Sequence, residues 1–212
     1  MKMNFLKYTL ITALSLGVFS SCVSEDDYAI PEIKSPIIQE DFQSVVNNGV
    51  LDIENWTNFA EAGTVKWIGK IFSGNGYAEF TTFGSGQSSN IGWLVSPKIN
   101  LMDEESGLYF PEGNVGRKLV FEVSQHHFDN TANTFQVFIS TDYDGENVTA
   151  ATWTEITSNF RMPKTDDSWY DFISSGTYDL SGVEGSFYVA FKAVGNGTNL
   201  DGAFMLDNFT IY

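Results

Sequence analysis

Few residues in this chain are arranged to do covalent chemistry. His126 and His127 are its only histidines. Neighbours on a strand point to opposite faces, so the pair cannot easily share one metal ion, and no third histidine stands elsewhere to join them. A nucleophilic triad needs a base held by an acid and facing a serine, and nothing in the spacing around Ser124 or Ser140 suggests one. Both histidines therefore read as polar strand or loop residues. A glycosidase needs two carboxylates about 5 to 10 Å apart. With 27 acids in the chain, candidate pairs are too many to discriminate, and no glycosidase motif surrounds any of them. Asp142-Tyr143-Asp144-Gly145-Glu146-Asn147 superficially follows the start of an EF-hand loop. Its glycine falls one step after the second Asp and no Glu closes the loop, so the segment reads as a hairpin turn. The expectation is a protein that is not an enzyme.

Binding chemistry is better supplied. An aromatic face can stack on the apolar face of a pyranose ring, and the chain has five tryptophans. Trp93 lies in an apolar run and Trp153 on an expected strand, so both belong to a core. Trp56, beside Asn55 and Asn58, and Trp169, after Asp166-Asp167-Ser168, keep polar company and are the candidate ligand-binding residues. Packing at the edge of the core is the competing role for either. The charge balance is strongly acidic, 11 Lys and Arg against 27 Asp and Glu, for a formal net charge of −16. Such a surface repels nucleic-acid phosphates, and no basic stripe interrupts it, so DNA and RNA are excluded as partners. The same excess supplies oxygen ligands for hard cations.

The elements that must position these residues are strands. Leu119, Phe121 and Val123 alternate with Lys118, Val120 and Glu122; Phe135, Val137 and Ile139 alternate with Gln136, Phe138 and Ser140; Phe187, Val189 and Phe191 alternate with Ser186, Tyr188 and Ala190. Further strands are expected over Ile38–Phe42, Val65–Ile71, Tyr77–Phe83, Gly92–Val95, Trp153–Ile156, Trp169–Phe172 and Phe204–Ile211. Gly74-Asn75-Gly76, Gly84-Ser85-Gly86, Asp144-Gly145 and Gly195-Asn196-Gly197 supply the turns. No segment sustains a 3.6-residue apolar period. About ten short strands without intervening helices cannot build a parallel βαβ sheet, so an all-β, antiparallel sandwich is the economical solution. An aromatic content of 15%, with 18 Phe, suits it.

The first 27 residues carry an address. Lys2 and Lys7 precede an apolar run from Tyr8 to Phe19 and the small residues Ser20-Ser21, the pattern of a secretory signal. The run is shorter than the roughly 20 residues needed to span a bilayer. Cys22, the only cysteine, follows directly, and the stretch resembles the lipobox of bacterial lipoproteins, although Phe19 departs from the usual Leu. That resemblance implies cleavage before Cys22 and its acylation. An ordinary signal with a leftover buried cysteine is the alternative. Removing Lys2 and Lys7 with the signal lowers the formal charge from −16 by two, to −18. Ser24-Glu25-Asp26-Asp27 resembles the acidic tag that sends Bacteroidota lipoproteins to the outer face of the outer membrane; a plain solvated linker is its rival. The chain thus divides into a signal over 1–21, an acylated cysteine and acidic, Pro-containing tether over 22–36, and one domain over 37–212.

Several segments of that domain, in order, carry a family resemblance. They are Glu40-Asp41-Phe42, Trp56, Gly92-Trp93-Leu94-Val95-Ser96-Pro97-Lys98-Ile99-Asn100-Leu101, Leu119–Val123, Val137–Gly145, Thr152–Ile156, Tyr178-Asp179-Leu180-Ser181-Gly182, Tyr188–Lys192 and Leu206-Asp207-Asn208-Phe209. Together they resemble the choice-of-anchor J and cleaved-adhesin domains of Bacteroidota surface proteins. The resemblance implies a jelly-roll β-sandwich, adhesion or glycan handling without catalysis, and often a structural calcium. In that family carboxylates of adjacent first and last strands converge on the ion, which here points to Glu40, Asp207 and Asp41. Glu40 and Asp41 are consecutive, so only one of them can face it. Rim carboxylates that merely solvate the sandwich are the alternative. The resulting expectation is an outer-membrane lipoprotein, facing outward, whose sandwich binds a glycan. A structural or accessory subunit that contacts surface protein only is the rival.

Overall fold

The computed structural model of the chain describes residues 36–100 and 117–212, so the signal, Cys22 and the tether up to residue 35 lie outside the described residues. In chain order the strands are β1 (Ile38–Glu40), β2 (Thr57–Ala62), β3 (Ile68–Phe72), β4 (Asn75–Thr81), β5 (Asn90–Val95), β6 (Lys118–His126), β7 (Thr134–Ser140), β8 (Thr154–Glu155), β9 (Ile173–Ser174), β10 (Tyr178–Asp179), β11 (Tyr188–Gly195) and β12 (Ala203–Ile211). Alternation gives the long ones a dry face. In β6, Leu119, Phe121 and Val123 are buried while Lys118, Val120 and Glu122 remain partly open, and β7 repeats this with Phe135, Val137 and Ile139. A strand with one dry face must bury it against a second layer.

The layers are two antiparallel sheets. One runs β10-β6-β12-β4-β3, with β1 also on β12 and β9 also on β6; the other runs β2-β5-β11-β7-β8. The expected antiparallel jelly-roll β-sandwich is therefore what the chain forms. Phe42, Trp67, Phe80, Phe121, Phe135, Phe191, Phe204 and Phe209 meet between the sheets. Ring pairs such as Phe121 on Phe191, 5.1 Å apart and nearly perpendicular, fill that space in the edge-to-face geometry aromatics prefer. Gly92 in β5 is required by this packing. A Cβ there would lie 2.1 Å from Cε2 of Phe80.

β12 organises the termini. Along one edge it pairs β6, and along the other it pairs β4 through Ala203–Leu206 and then β1 through Glu40↔Phe209, Gln39↔Thr210 and Ile38↔Ile211. The first and last strands are adjacent. A register shift between Asp207 and Thr210, with Asn208 at φ 49°, marks the hand-over from β4 to β1.

Several segments differ from expectation, among them the two-residue β9 and β10, which pair with β6 and lie outside the expected strands. β2 was not anticipated, because Thr-Asn-Phe-Ala-Glu-Ala lacks clean alternation on an edge strand. Tertiary bonds fix its start instead: the Asn58 amide donates to the carbonyls of Leu51 and Trp67 and accepts the Trp67 N–H. Trp169–Phe172, expected as a strand, is not one. Tyr170 takes φ 59° in a turn, and pairing begins only at Ile173.

Candidate functional site

The acids expected to share a metal belong to different strand pairings on either side of the bulge in β12. Glu40 pairs with Phe209, whose ring is in the core, and its Oε1 accepts the Phe42 N–H at 2.7 Å in a turn where Phe42 has φ 52°. Asp207 pairs with Glu122 and so takes the outer face. It is only 1% exposed, with Oδ2 accepting from Asn75 and Oδ1 from the Asn208 N–H, each at 2.7 Å. Asp41, just past β1, is exposed and accepts the Gln43 N–H. Among the described residues no three or more His, Cys, Asp or Glu side chains are grouped to hold a metal. The chemistry around Asp207 alone suits a hard cation. Burial raises its pKa, and the charges acting on it, Glu122 and Asp41, push the same way. Asp207, Asn75 and Asp41 could lend oxygens there, whereas Glu40, also raised by burial, is turned to its own loop.

A different constellation stands on the outer face of the seven-stranded sheet. The β3–β4 register places Lys70 beside Tyr77 and Phe72 beside Asn75 on that face, and β6 adds His126. The segment 161–172 folds across them. Its Tyr170 ring is layered between Phe72, at 4.7 Å and 25°, and His126, at 5.0 Å and 26°. His126 meets His127 edge-on at 5.1 Å, and His127 lies on Trp169 at 4.0 Å. Five rings thus run without a break from Phe72 to Trp169. Phe72 is 52% and Trp169 54% exposed, so each end of the run opens to solvent.

The histidines correct an expectation. Regular strand geometry sends neighbours to opposite faces, but His127 has φ 53°, which breaks the alternation and brings the two Nδ1 atoms within 2.8 Å, one ring donating to the other. Left-handed backbone at two non-glycine residues, His127 and Tyr170, is the kind of local strain that surrounding structure must hold in place. The support is visible. Tyr170 N–H donates to the Gln125 carbonyl at 3.0 Å, and the Gln125 amide donates to the Asp167 carbonyl. The Asp167 carboxylate holds the Arg161 guanidinium at 2.5 Å and the Lys164 N–H at 2.7 Å. Beneath the rings Glu79, 2% exposed, stands 3.3 Å from His126 Nε2 and 3.9 Å from Lys70 Nζ. Burial, and then the negative charge of Glu79, raise the hydroxyl pKa of both Tyr77 and Tyr170.

A polar cavity of about 550 Å³ is lined by Asp129, Asn130, Thr165, Thr198, Asn199 and Asp201 among others, on segments that adjoin His127 and Trp169 in the chain. Asp129 lies two residues beyond His127, and Thr165 four before Trp169. The third wall is held by Asn196, whose Oδ1 accepts the N–H groups of Thr198, Asn199 and Leu200 at 3.0, 3.0 and 3.1 Å. Sequence reasoning singled out Trp169 through its polar company. It missed the cavity, whose residues come from three loops far apart in the chain and share no motif.

The other tryptophans are placed differently. Trp56 is half-buried with its ring against Phe42 at 5.8 Å and Phe209 at 5.2 Å, beside the core. Trp93 is 5% exposed, donates Nε1–H to Glu61 at 2.6 Å and lies under Lys192 at 4.7 Å. Trp153 packs on it and donates to the Val148 carbonyl. Asp144 is a turn residue, as read: the N–H groups of Asn147 and Glu146 and the Asn147 amide hold its carboxylate and draw its pKa down to about 2.

A protein-family model described as a domain of unknown function (DUF5017) matches residues 109–211. No curated protein matches the chain. Among solved structures, the K2 cleaved adhesin domain of Lys-gingipain is similar over 82% of this chain and 97% of its own, at 14% identity and a TM-score of 0.52. The K1 cleaved adhesin domain of Lys-gingipain from Porphyromonas gingivalis W83 is similar over 82% and 96%, at 20% identity and 0.48. A family 30 carbohydrate-binding module from a Clostridium thermocellum cellulosomal cellulase is similar over 82% and 97%, at 12% identity and 0.43. At 14% identity the K2 likeness speaks to the fold alone, and it agrees with the cleaved-adhesin resemblance read from the sequence.

Proposed function

We propose that this is a non-catalytic carbohydrate-binding domain, carried on the outer membrane by acylated Cys22 and turned outward. The observation that carries the reading is the unbroken run of rings ending on the open face of Trp169; the segments adjoining His127 and Trp169 in the chain also line a cavity with carboxylates, amides and hydroxyls. Aromatic surface orients a sugar ring, and a few convergent polar groups fix its hydroxyls. The anchor rests on the leader, the small residues before Cys22 and the absence of any other cysteine. A protein partner is the second reading, favoured by Val46, Val50 and Ile71, which are 75%, 63% and 44% exposed near the β3 edge.

A glycan array probed with the compact unit Ser35–Tyr212 tests the first reading. The wild type should bind a related set of glycans, and Trp169→Ala should lose it while remaining folded. An array left empty by the folded wild type would turn the assignment toward the protein partner.

A further inference from the structure

We infer that the cavity lined by Asp129 and Asp201 takes an uncharged oligosaccharide and refuses polyuronates and sulfated glycans. This deepens the carbohydrate reading and rests on it. A sugar seated there offers its hydroxyls to the carboxylates of Asp129 and Asp201.

Charge makes the distinction. The charged residues lining the cavity are Asp129 and Asp201, and no Lys or Arg is among its lining residues. Separations within one small cavity fall inside the Debye length of about 8 Å at physiological salt, so these charges are felt by a bound ligand. A sulfate or uronate entering there meets like charge, which disfavours a wrong ligand strongly. A neutral sugar meets the reverse. Each hydroxyl is both donor and acceptor; carboxylates take its proton in charge-assisted hydrogen bonds, while Asn130, Asn199 and Thr198 can serve its oxygen. A volume of about 550 Å³ is within the range of small-ligand sites.

The test uses the unit Ser35–Tyr212 in EDTA, so that no divalent ion can bridge protein and sugar. An array should carry neutral gluco-, xylo-, manno- and galacto-oligosaccharides beside polygalacturonate, alginate and chondroitin sulfate fragments, with calorimetry on each hit. Binding confined to neutral members is the expected result. Asp129→Asn should weaken it about tenfold or more, the effect of losing a charge-assisted hydrogen bond. Asp129→Lys, on an exposed side chain, should weaken neutral binding and admit an anionic member, with both variants melting like the wild type. Anionic glycans bound as well as neutral ones, or binding that disappears in EDTA, would overturn the inference and leave the carbohydrate reading standing. No binding in either class would remove both.

Discussion

Trp56 and Trp169 have the same standing in the sequence and opposite ones in the structure, so truncating each separates packing from binding. Trp169 is 54% exposed, so less than half of its burial is at stake. Full burial of a large apolar side chain contributes roughly 1.5 to 3 kcal/mol, so Trp169→Ala should cost about 1 kcal/mol of stability. For a domain of this size that lowers Tm by about 2 to 4 °C. Trp56 touches Phe42 and Phe209 beside the core. Removing such a ring costs about 3 kcal/mol, at the low end for Trp→Ala because it is only half-buried. Tm should then fall by roughly 6 to 12 °C. Binding should show the opposite order. Trp169→Ala should weaken the best array hit by about 2 kcal/mol, near thirtyfold in Kd, whereas Trp56→Ala should leave Kd within about twofold. Differential scanning calorimetry and isothermal titration on the same preparations give both numbers. If Trp169→Ala binds like wild type, or melts as early as Trp56→Ala, the division of labour between the two rings is wrong.

Gly92→Ala should destabilise by about 1 to 3 kcal/mol or more, read in a denaturant midpoint, because the added Cβ meets Phe80 at 2.1 Å; an unchanged midpoint would mean that the sheets can part there. Asp207 has a pKa raised above its ordinary 3.8, so the folded state takes up its proton more readily than the unfolded one. That contribution is fully present below the unfolded value and is lost as pH rises through the folded one. In EDTA the domain should therefore gain stability as pH is lowered from 7 into the window just above 3.8, and Asp207→Asn should flatten the gain; a wild-type profile as flat as the variant's would contradict it. Millimolar calcium should raise the wild-type Tm at pH 7 but not that of Asp207→Asn, while Glu40→Gln should keep most of the shift; identical melts with and without calcium would leave Asp207 a metal-free buried acid. Cys22→Ala, expressed in a Bacteroidota host, should leave the outer-membrane fraction, and its retention there would remove the lipid anchor from the reading.

What the sequence shows and hides follows from how local each signal is. The cores of β6, β7 and β11 were legible because one dry face imposes strict alternation, as in Leu119-Val120-Phe121-Glu122-Val123. β2 was illegible because its place comes from Asn58, whose partners Leu51 and Trp67 lie outside the strand. Adjacency of the first and last strands came from the family resemblance and holds. The metal set drawn from the same resemblance is harder to read from register: Glu40 pairs with Phe209 and Asp207 with Glu122, and the bulge between Asp207 and Thr210 separates the two pairings. His126 and His127 misled for another reason: the strand rule is sound, but one residue at φ 53° suspends it. Positive φ at an imidazole or phenol ring is set by tertiary contacts and leaves no mark in composition.

The antiparallel pairing of β1 with β12 also has a mechanical meaning. Ala203, at the start of β12, lies two residues beyond Asp201 in the cavity wall, and Ile211 at its far end is hydrogen-bonded into the strand that begins the domain. Nine residues of strand put these ends about 27 Å apart, at roughly 3.4 Å per residue. Tension between a ligand held at the cavity and the chain entering at Ile38 runs parallel to the strands. It therefore loads the bonds between β1 and β12 together, in shear, instead of peeling them one at a time. A domain pulled through its own first strand would resist at the seam where the first and last strands pair.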